Sequence, residues 1–245
     1  DCEGNTQDWV YTYTVEFEPF ADPVDAGSTV VCPDATDVAP ASPVVTDNCG
    51  RVLTPSAPVI SAKPTCEGTR TYTYTYTDCE GNTQDWVYTY TVSAPIFNLP
   101  VNGASTVACV ADAVTPTAPT VTDNCGRLIT PTMTIGVDPL CAGAKVYTFT
   151  YEDCSGGIKT WIYTYTISAP VFTLPVNDAS TVACAADAVA PVPPVVTDNC
   201  GRSIVPSAPV VSADPACGGT KAFVFTYTDC SGVSQTWTYT YTFPV

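Results

Sequence analysis

Two runs of strict alternation dominate the chain. Thr71-Tyr72-Thr73-Tyr74-Thr75-Tyr76-Thr77 is followed by Trp86-Val87-Tyr88-Thr89-Tyr90-Thr91-Val92. Each run places aromatic residues on one face and mostly threonine on the other. A period of two belongs to β-strands, where successive side chains point to opposite faces. Tyr, Thr, Trp and Val also suit a pleated, half-buried surface. The connection Cys79-Glu80-Gly81-Asn82-Thr83-Gln84-Asp85 carries turn chemistry, because Gly81 and Asn82 tolerate positive φ. The stretch is therefore a β-hairpin.

The hairpin recurs. Val146–Cys154 leads into Trp161–Thr166, and Phe223–Cys230 leads into Trp237–Thr242. Its second half opens the chain, since residues 1–15 are identical to residues 78–92. The hairpin cysteines Cys2, Cys79, Cys154 and Cys230 are spaced by 77, 75 and 76 residues. The chain is a repeat array that begins inside a repeat. The pattern divides it into residues 1–15 (the closing strand of an interrupted repeat), 16–92, 93–167 and 168–245.

Within the first full repeat, Ser28–Cys32 is a short strand, 33–42 a Pro/Asp/Ala loop, and Pro43–Thr46 a second strand running into Asp47-Asn48-Cys49-Gly50-Arg51. That DNCGR element returns at Asp123 and Asp198. Residues 52–62 are extended and broken by Pro55 and Pro58, and a turn at 63–68 leads back to the hairpin. No segment has a helical period, and prolines every few residues exclude long helices. Short strands between turn signals, repeated, give an all-β fold of tandem immunoglobulin-like sandwiches. The Pro-rich links, such as 16–23, are short, so neighbouring repeats are expected to pack end to end.

Thirteen cysteines accompany one Met and no His. Units of this size have small cores and need staples, and cysteine at this density without zinc-type CxxC pairs reads as a disulfide framework in an oxidising compartment. An up-down course of the four cysteine-bearing segments puts the first and third cysteines at one end of a repeat and the second and fourth at the other. The expected pairs are Cys32–Cys66, Cys49–Cys79, Cys109–Cys141, Cys125–Cys154, Cys184–Cys217 and Cys200–Cys230, leaving Cys2 without its partner.

A net charge of −16 with only 8 Lys and Arg excludes nucleic-acid binding and docking on anionic membranes. No apolar run is long enough for a transmembrane helix. The acidic balance suits a large extracellular array and attracts divalent cations.

The strand ending in cysteine, then PVVTDNCG, then YTYTDCEGNT leading into WVYTYTV, resembles the HYR (hyalin-repeat) family. It is closer still to the HYR-like, immunoglobulin-like repeats of very large secreted and surface proteins of Bacteroidetes. The resemblance covers nearly the whole chain. It implies an immunoglobulin-like sandwich, a role in adhesion or extracellular structure, and no catalytic residues. One departure is that Trp86–Val92 lacks the cysteine often carried in the family's final strand, so connectivity is not inherited.

The residues themselves point the same way. Without histidine there is no Ser-His or Cys-His dyad and no histidine metal site. The carboxylates Asp78 and Glu80 lie in a turn, and Glu80 becomes Ser155 and Ser231 in the other repeats, which argues against a glycosidase pair. No cofactor is expected, with one candidate exception: Asp47, Asn48 and Asp78 converge if Cys49 and Cys79 lie together, and calcium takes such oxygens. The alternative is that Asp47 and Asn48 form Asx turns and Asp47 pairs with Arg51. Trp86 and the Tyr72, Tyr74, Tyr76 stripe are expected in the core. Thr71, Thr73, Thr75, Thr89 and Thr91 form an outer hydroxyl face, alternatively a site of O-linked glycans.

The stretch 1–15 has an apolar face, Trp9, Tyr11, Tyr13 and Val15, and unpaired backbone groups. It is either a cut end or a donor strand that contacts the next subunit. A head-to-tail contact that does not close builds a filament. The expectation is a structural subunit of an extracellular bacterial fibre or surface stalk, with other copies of itself as partners. The alternative is an adhesive module for a glycan or protein ligand.

Overall fold

The computed structural model describes residues 1–16 and 18–244. Phe17, in the first link, and Val245, at the end of the third repeat, lie outside the described residues. The fold class is the one expected: all-β, in tandem immunoglobulin-like units. The strands of the first repeat are β1 (Ala26–Val30), β2 (Val45–Thr46), β3 (Val52–Leu53), β4 (Val59–Ile60), β5 (Gly68–Thr77) and β6 (Thr83–Val92). Those of the second are β7 (Gly103–Val107), β8 (Val121–Thr122), β9 (Leu128–Ile129), β10 (Thr132–Ile135), β11 (Gly143–Glu152) and β12 (Ile158–Ile167). Those of the third are β13 (Asp178–Thr181), β14 (Val196–Thr197), β15 (Ser203–Ile204), β16 (Val210–Val211), β17 (Gly219–Thr228) and β18 (Ser234–Phe243). One-turn 3-10 helices follow the first cysteine of each repeat, at Pro33–Asp37, Val110–Asp112 and Ala185–Asp187.

Chain contacts divide the molecule into two compact units. The first holds residues 1–97 with the turns 122–128 and 153–157, and the second holds the remainder. In the first unit the sheet order is β1-β6-β5-β4. The β5–β6 hairpin is antiparallel, with Tyr74 opposite Trp86 and Thr71 opposite Thr89. β1 joins the other edge of β6 in parallel. Prolines shorten the strands between β1 and β5: Pro55 and Pro58 supply no amide hydrogen, and β3 and β4 are two residues each. In the second unit the orders are β10-β11-β12-β7 and β13-β18-β17-β16, with the same parallel edge.

The aromatic face of the hairpin forms the core, as its alternation predicts. Tyr72, Tyr74, Tyr76, Trp86 and Tyr90 pack with Phe20 and Val45, and Leu53 and Val30 flank them. The second layer is therefore the link and the short β2–β3 ladder. In the third repeat Phe223, Phe225, Tyr227, Trp237 and Tyr241 cluster likewise with Phe172, Val196 and Ile204. The tyrosines carry a polar tip into this core, and each tip needs an acceptor. The Pro-rich loop supplies them. Tyr72 donates to Thr36 O, Tyr74 to Pro40 O, Tyr76 to Pro43 O and Tyr90 to Val38 O. Tyr151 and Tyr227 repeat the Tyr76 bond, to Pro119 O and Pro194 O. Indole Nε1 of Trp86, Trp161 and Trp237 donates to Val24 O, Val101 O and Val176 O. The threonines Thr71, Thr73, Thr75 and Thr89 are half-buried, and Thr91 is exposed.

Candidate functional site

The two polar turns that hold the second and fourth cysteines of each repeat are built in one way. In DNCGR the aspartate folds the chain around its own carboxylate. Asp47 Oδ1 accepts from the amides of Cys49 and Arg51, and Oδ2 from Arg51 Nε at 2.7 Å. Asp123 and Asp198 make the same three bonds with Cys125 and Arg127 and with Cys200 and Arg202. The glycine after each cysteine, Gly50, Gly126 or Gly201, has φ of 77–79°, which a side chain would oppose. At the hairpin turn Asp78 Oδ1 accepts from the Glu80 and Asn82 amides, and Asp153 and Asp229 repeat this with Ser155 and Gly157 and with Ser231 and Val233.

These bonds keep the carboxylates ionised. The Asn82 amide beside Asp78, and the Ser155 and Ser231 hydroxyls beside Asp153 and Asp229, hold those carboxyls below the usual range. At Asp123 burial acts to raise the pKa, but the backbone and guanidinium of Arg127 and the Cys125 amide outweigh it, and the net shift is downward. Of the residues weighed as calcium ligands, Asp47 and Asp78 form Asx turns and Asn48, expected in one, does not. Asp47 is engaged by Arg51 and Cys49, and Asp78 by Glu80 and Asn82. Asn48 Nδ2 donates to Glu18 O and Pro19 O. Among the described residues no group of three or more Cys, Asp or Glu side chains is placed to hold a metal ion.

The disulfides depart from the expected pairing. The bonds are Cys32–Cys125, Cys66–Cys154, Cys109–Cys200 and Cys141–Cys230. None of the six expected pairs occurs: the cysteines of Cys32–Cys66, Cys109–Cys141, Cys125–Cys154 and Cys200–Cys230 bond elsewhere, and those of Cys49–Cys79 and Cys184–Cys217 stay free. The first and third cysteines of a repeat bond to the second and fourth of its successor. The up-down course itself is right, since β1 and β5 run oppositely and Cys49 and Cys79 line one small cavity. The error lay in closing each end on itself, whereas the end with the first and third cysteines meets the turns of the next repeat. Cys2, Cys49, Cys79, Cys184 and Cys217 are free and exposed.

Other contacts at these junctions also recur, and sequence reasoning missed them. Arg127 Nη1 donates to Thr65 O, the carbonyl just before Cys66, and Arg202 Nη1 donates to Leu140 O, just before Cys141. Cys125 Sγ lies 3.5 Å from Val31 O, and Cys200 Sγ 3.5 Å from Ala108 O. The Arg of DNCGR was readable as an ion-pair partner for Asp, and it is one. Its second contact, across the junction, had no sequence signal.

The predicted subunit-contact residues Trp9, Tyr11, Tyr13 and Val15 are exposed, Trp9 by 84%. Residues 5–16 form no strand, because a strand needs a hydrogen-bonded neighbour and this segment has none. Only the turn of its parent hairpin persists, with Asp1 Oδ1 accepting from the amides of Glu3 and Asn5. Each of the three repeats already holds its own closing strand, β6, β12 or β18.

Comparison with known proteins places these features. A family model described as an HYR-like domain with 4 cysteines matches residues 20–92, 97–167 and 172–243. Over 182 residues, 67% of the chain, the sequence is 30% identical to hyalin of Strongylocentrotus purpuratus, and it spans 15% of that protein. Among solved structures, the Protocadherin GammaB4 extracellular domain is 12% identical with a TM-score of 0.29, over 79% of this chain and 44% of that one. Drosophila N-cadherin EC1-4 is 12% identical with a TM-score of 0.25, over 82% and 63%.

Proposed function

The chain belongs to the family of HYR-like domains with 4 cysteines, and from that premise we propose that it is an extracellular adhesion or structural array. The finer reading is a segment of a fibre or stalk on a bacterial surface, extended head to tail by repeats of its own kind. One observation carries this: all four bridges join a repeat to its successor. Bonds placed so serve continuity between domains, and they form and persist where the surroundings are oxidising. The hairpin aromatics Tyr72, Tyr74, Tyr76, Trp86 and Tyr90 and their counterparts in the third repeat fill cores instead of lining a ligand face. The likeness to hyalin supports the extracellular role.

The test is labelling of intact producing cells with an antibody raised against this chain, read by electron microscopy. Gold along surface filaments or stalks supports the reading. Intact cells without label, while thin sections of the same cells carry gold only in the cytoplasm, overturn it.

A further inference from the structure

Asn102 stands directly before β7, and Asn102-Gly103 is the one Asn-Gly pair in the chain. The same place is Asp25-Ala26 in repeat 1 and Asn177-Asp178 in repeat 3. In all three the side-chain oxygen ties the edge strand to the hairpin. Asp25, Asn102 and Asn177 Oδ1 accept from the amides of Val87, Ile162 and Thr238, at 2.7, 2.9 and 2.9 Å. Only an oxygen is used, and in repeat 1 a carboxylate oxygen serves. We infer that Asn102 is a self-modification site: its side chain cyclises onto the Gly103 nitrogen, and solvent water then opens the ring to aspartate or isoaspartate.

Three features meet at this place and not at its siblings. Gly103 has no side chain to shield its nitrogen, whereas Ala26 and Asp178 carry one, and glycine reaches backbone conformations closed to other residues. Asn102 is exposed. The strand it opens, β7, ends the sheet β10-β11-β12-β7 and is paired on one side only. A short edge strand of alternating half-buried and exposed residues opens locally at low cost. Opening frees the Asn102 side chain from Ile162 and lets Cγ approach Gly103 N. The hydrogen bond to Ile162 is thus the brake, and the opening of β7 sets the pace.

The chemistry needs water and no oxidant. Gly103 N bonds to Asn102 Cγ, the Cγ–Nδ2 bond breaks, and ammonia leaves with the Gly103 amide proton. Water then cleaves one of the two ring bonds to nitrogen. Cleavage at Cγ restores the main chain and leaves aspartate. Cleavage at the Asn102 carbonyl carbon leaves the chain running through Cβ and Cγ, as isoaspartate. The products differ in effect. Aspartate is what repeat 1 has at 25, and it keeps the bond to the hairpin. Isoaspartate inserts an extra main-chain atom between Val101, whose carbonyl accepts from Trp161 Nε1 at 2.8 Å, and the register that runs from Gly103 opposite Tyr163 to Val107 opposite Ile167. There is no slack to absorb it, since the Tyr163 ring lies so close over Gly103 that a Cβ there would collide with Cδ2. β7 then leaves β12, and the mark accumulates with the age of the molecule. The inference does not rest on the extracellular reading.

The experiment ages the folded 245-residue chain at mildly alkaline pH, beside the same chain reduced and unfolded in urea. Peptide mapping by mass spectrometry follows every asparagine, and isoaspartyl methyltransferase labelling reports isoaspartate. In the folded chain Asn102 is expected to convert several-fold ahead of Asn177, to both products, and more slowly than in the unfolded chain. In the isoaspartate fraction, separated by chromatography, hydrogen exchange in β7 is expected to accelerate several-fold. Asn102→Gln, whose longer side chain cyclises slowly, is expected to age without that acceleration, and Asn102→Asp to start with the parent's thermal midpoint. The inference is overturned if folded Asn102 stays intact while the unfolded chain converts, or if another asparagine of the folded chain converts first. Aspartate without isoaspartate, or equal loss of β7 protection in the aged Gln variant, also overturns it.

Discussion

Removing the Cys66–Cys154 bridge with Cys66→Ser and Cys154→Ser tests the cross-repeat pairing most directly. The bridge closes a loop with a sequence separation of 88. The chain-entropy relation gives about 4.5 kcal/mol for a loop of that size. With Cys32–Cys125 intact, the ring can close through that bond and is shorter. The dependence is logarithmic, so the figure falls only to about 4 kcal/mol. Since about 1.4 kcal/mol is a factor of ten, amides that exchange through global opening of the first unit should exchange roughly 10³-fold faster. Hydrogen exchange read by mass spectrometry reports this locally. Peptides from β5 and β6 are expected to accelerate by that factor, and peptides from β17 and β18, in the other unit, to be unchanged. An acceleration below tenfold in β5 and β6 would refute the claim that this bond holds the first unit together. Equal acceleration in both units would refute its confinement there.

Other expectations follow from single contacts. Tyr76→Phe strands the half-buried Pro43 carbonyl and is expected to cost about 1 kcal/mol in urea unfolding, whereas Tyr74→Phe, which makes repeat 1 like its siblings at Phe149 and Phe225, should cost less. Asp123→Asn removes the ion pair to Arg127 and is expected to cost about 2 kcal/mol at neutral pH. Because the folded-state pKa of Asp123 is lowered, its contribution is present above about pH 4 and lost as pH falls through the folded value. The gap between wild type and variant in thermal midpoint should therefore close on acidification. Gly126→Ala, at φ 78°, is expected to cost about 1–2 kcal/mol and to slow formation of Cys32–Cys125 in refolding followed by thiol trapping.

The hairpins were legible because their signal is local. Period-two alternation and a Gly-containing turn specify β5–β6 without knowledge of anything distant, and burial of Tyr72, Tyr76 and Trp86 follows from the same pattern. The parallel partnership of β1 with β6 was not legible, since the pattern fixes a strand's faces and not its neighbour. The cysteine partners were hidden for a different reason. In a regular array, the expected bond from Cys32 to Cys66 within a repeat and the observed one from Cys32 to Cys125 of the next both join cysteines that recur in every repeat. Spacing and composition are identical under either scheme. Only the outermost repeats differ, where bonding between neighbours leaves Cys49, Cys79, Cys184 and Cys217 over, and an argument confined to one closed unit never reaches them. The arginine contact to Thr65 O was out of reach because its acceptor is a backbone carbonyl, which any sequence possesses.

The staggered bonds also set what happens when the molecule is pulled from its ends. Tension follows the shortest covalent route. From Cys32 that route crosses to Cys125, runs on along 16 residues to Cys141 and crosses to Cys230. A second track runs from Cys66 to Cys154, along 13 residues to Cys141, and on to Cys230. Sixteen residues reach at most about 55 Å when fully drawn out. The β5–β6 and β11–β12 hairpins lie off the first of these tracks, so pulling along it does not draw them out as slack, and the inter-repeat link at 93–96 can be cut without parting the repeats. Continuity here no longer depends on the peptide backbone alone, and neither a protease acting on the link nor a reductant severs neighbouring repeats without the other.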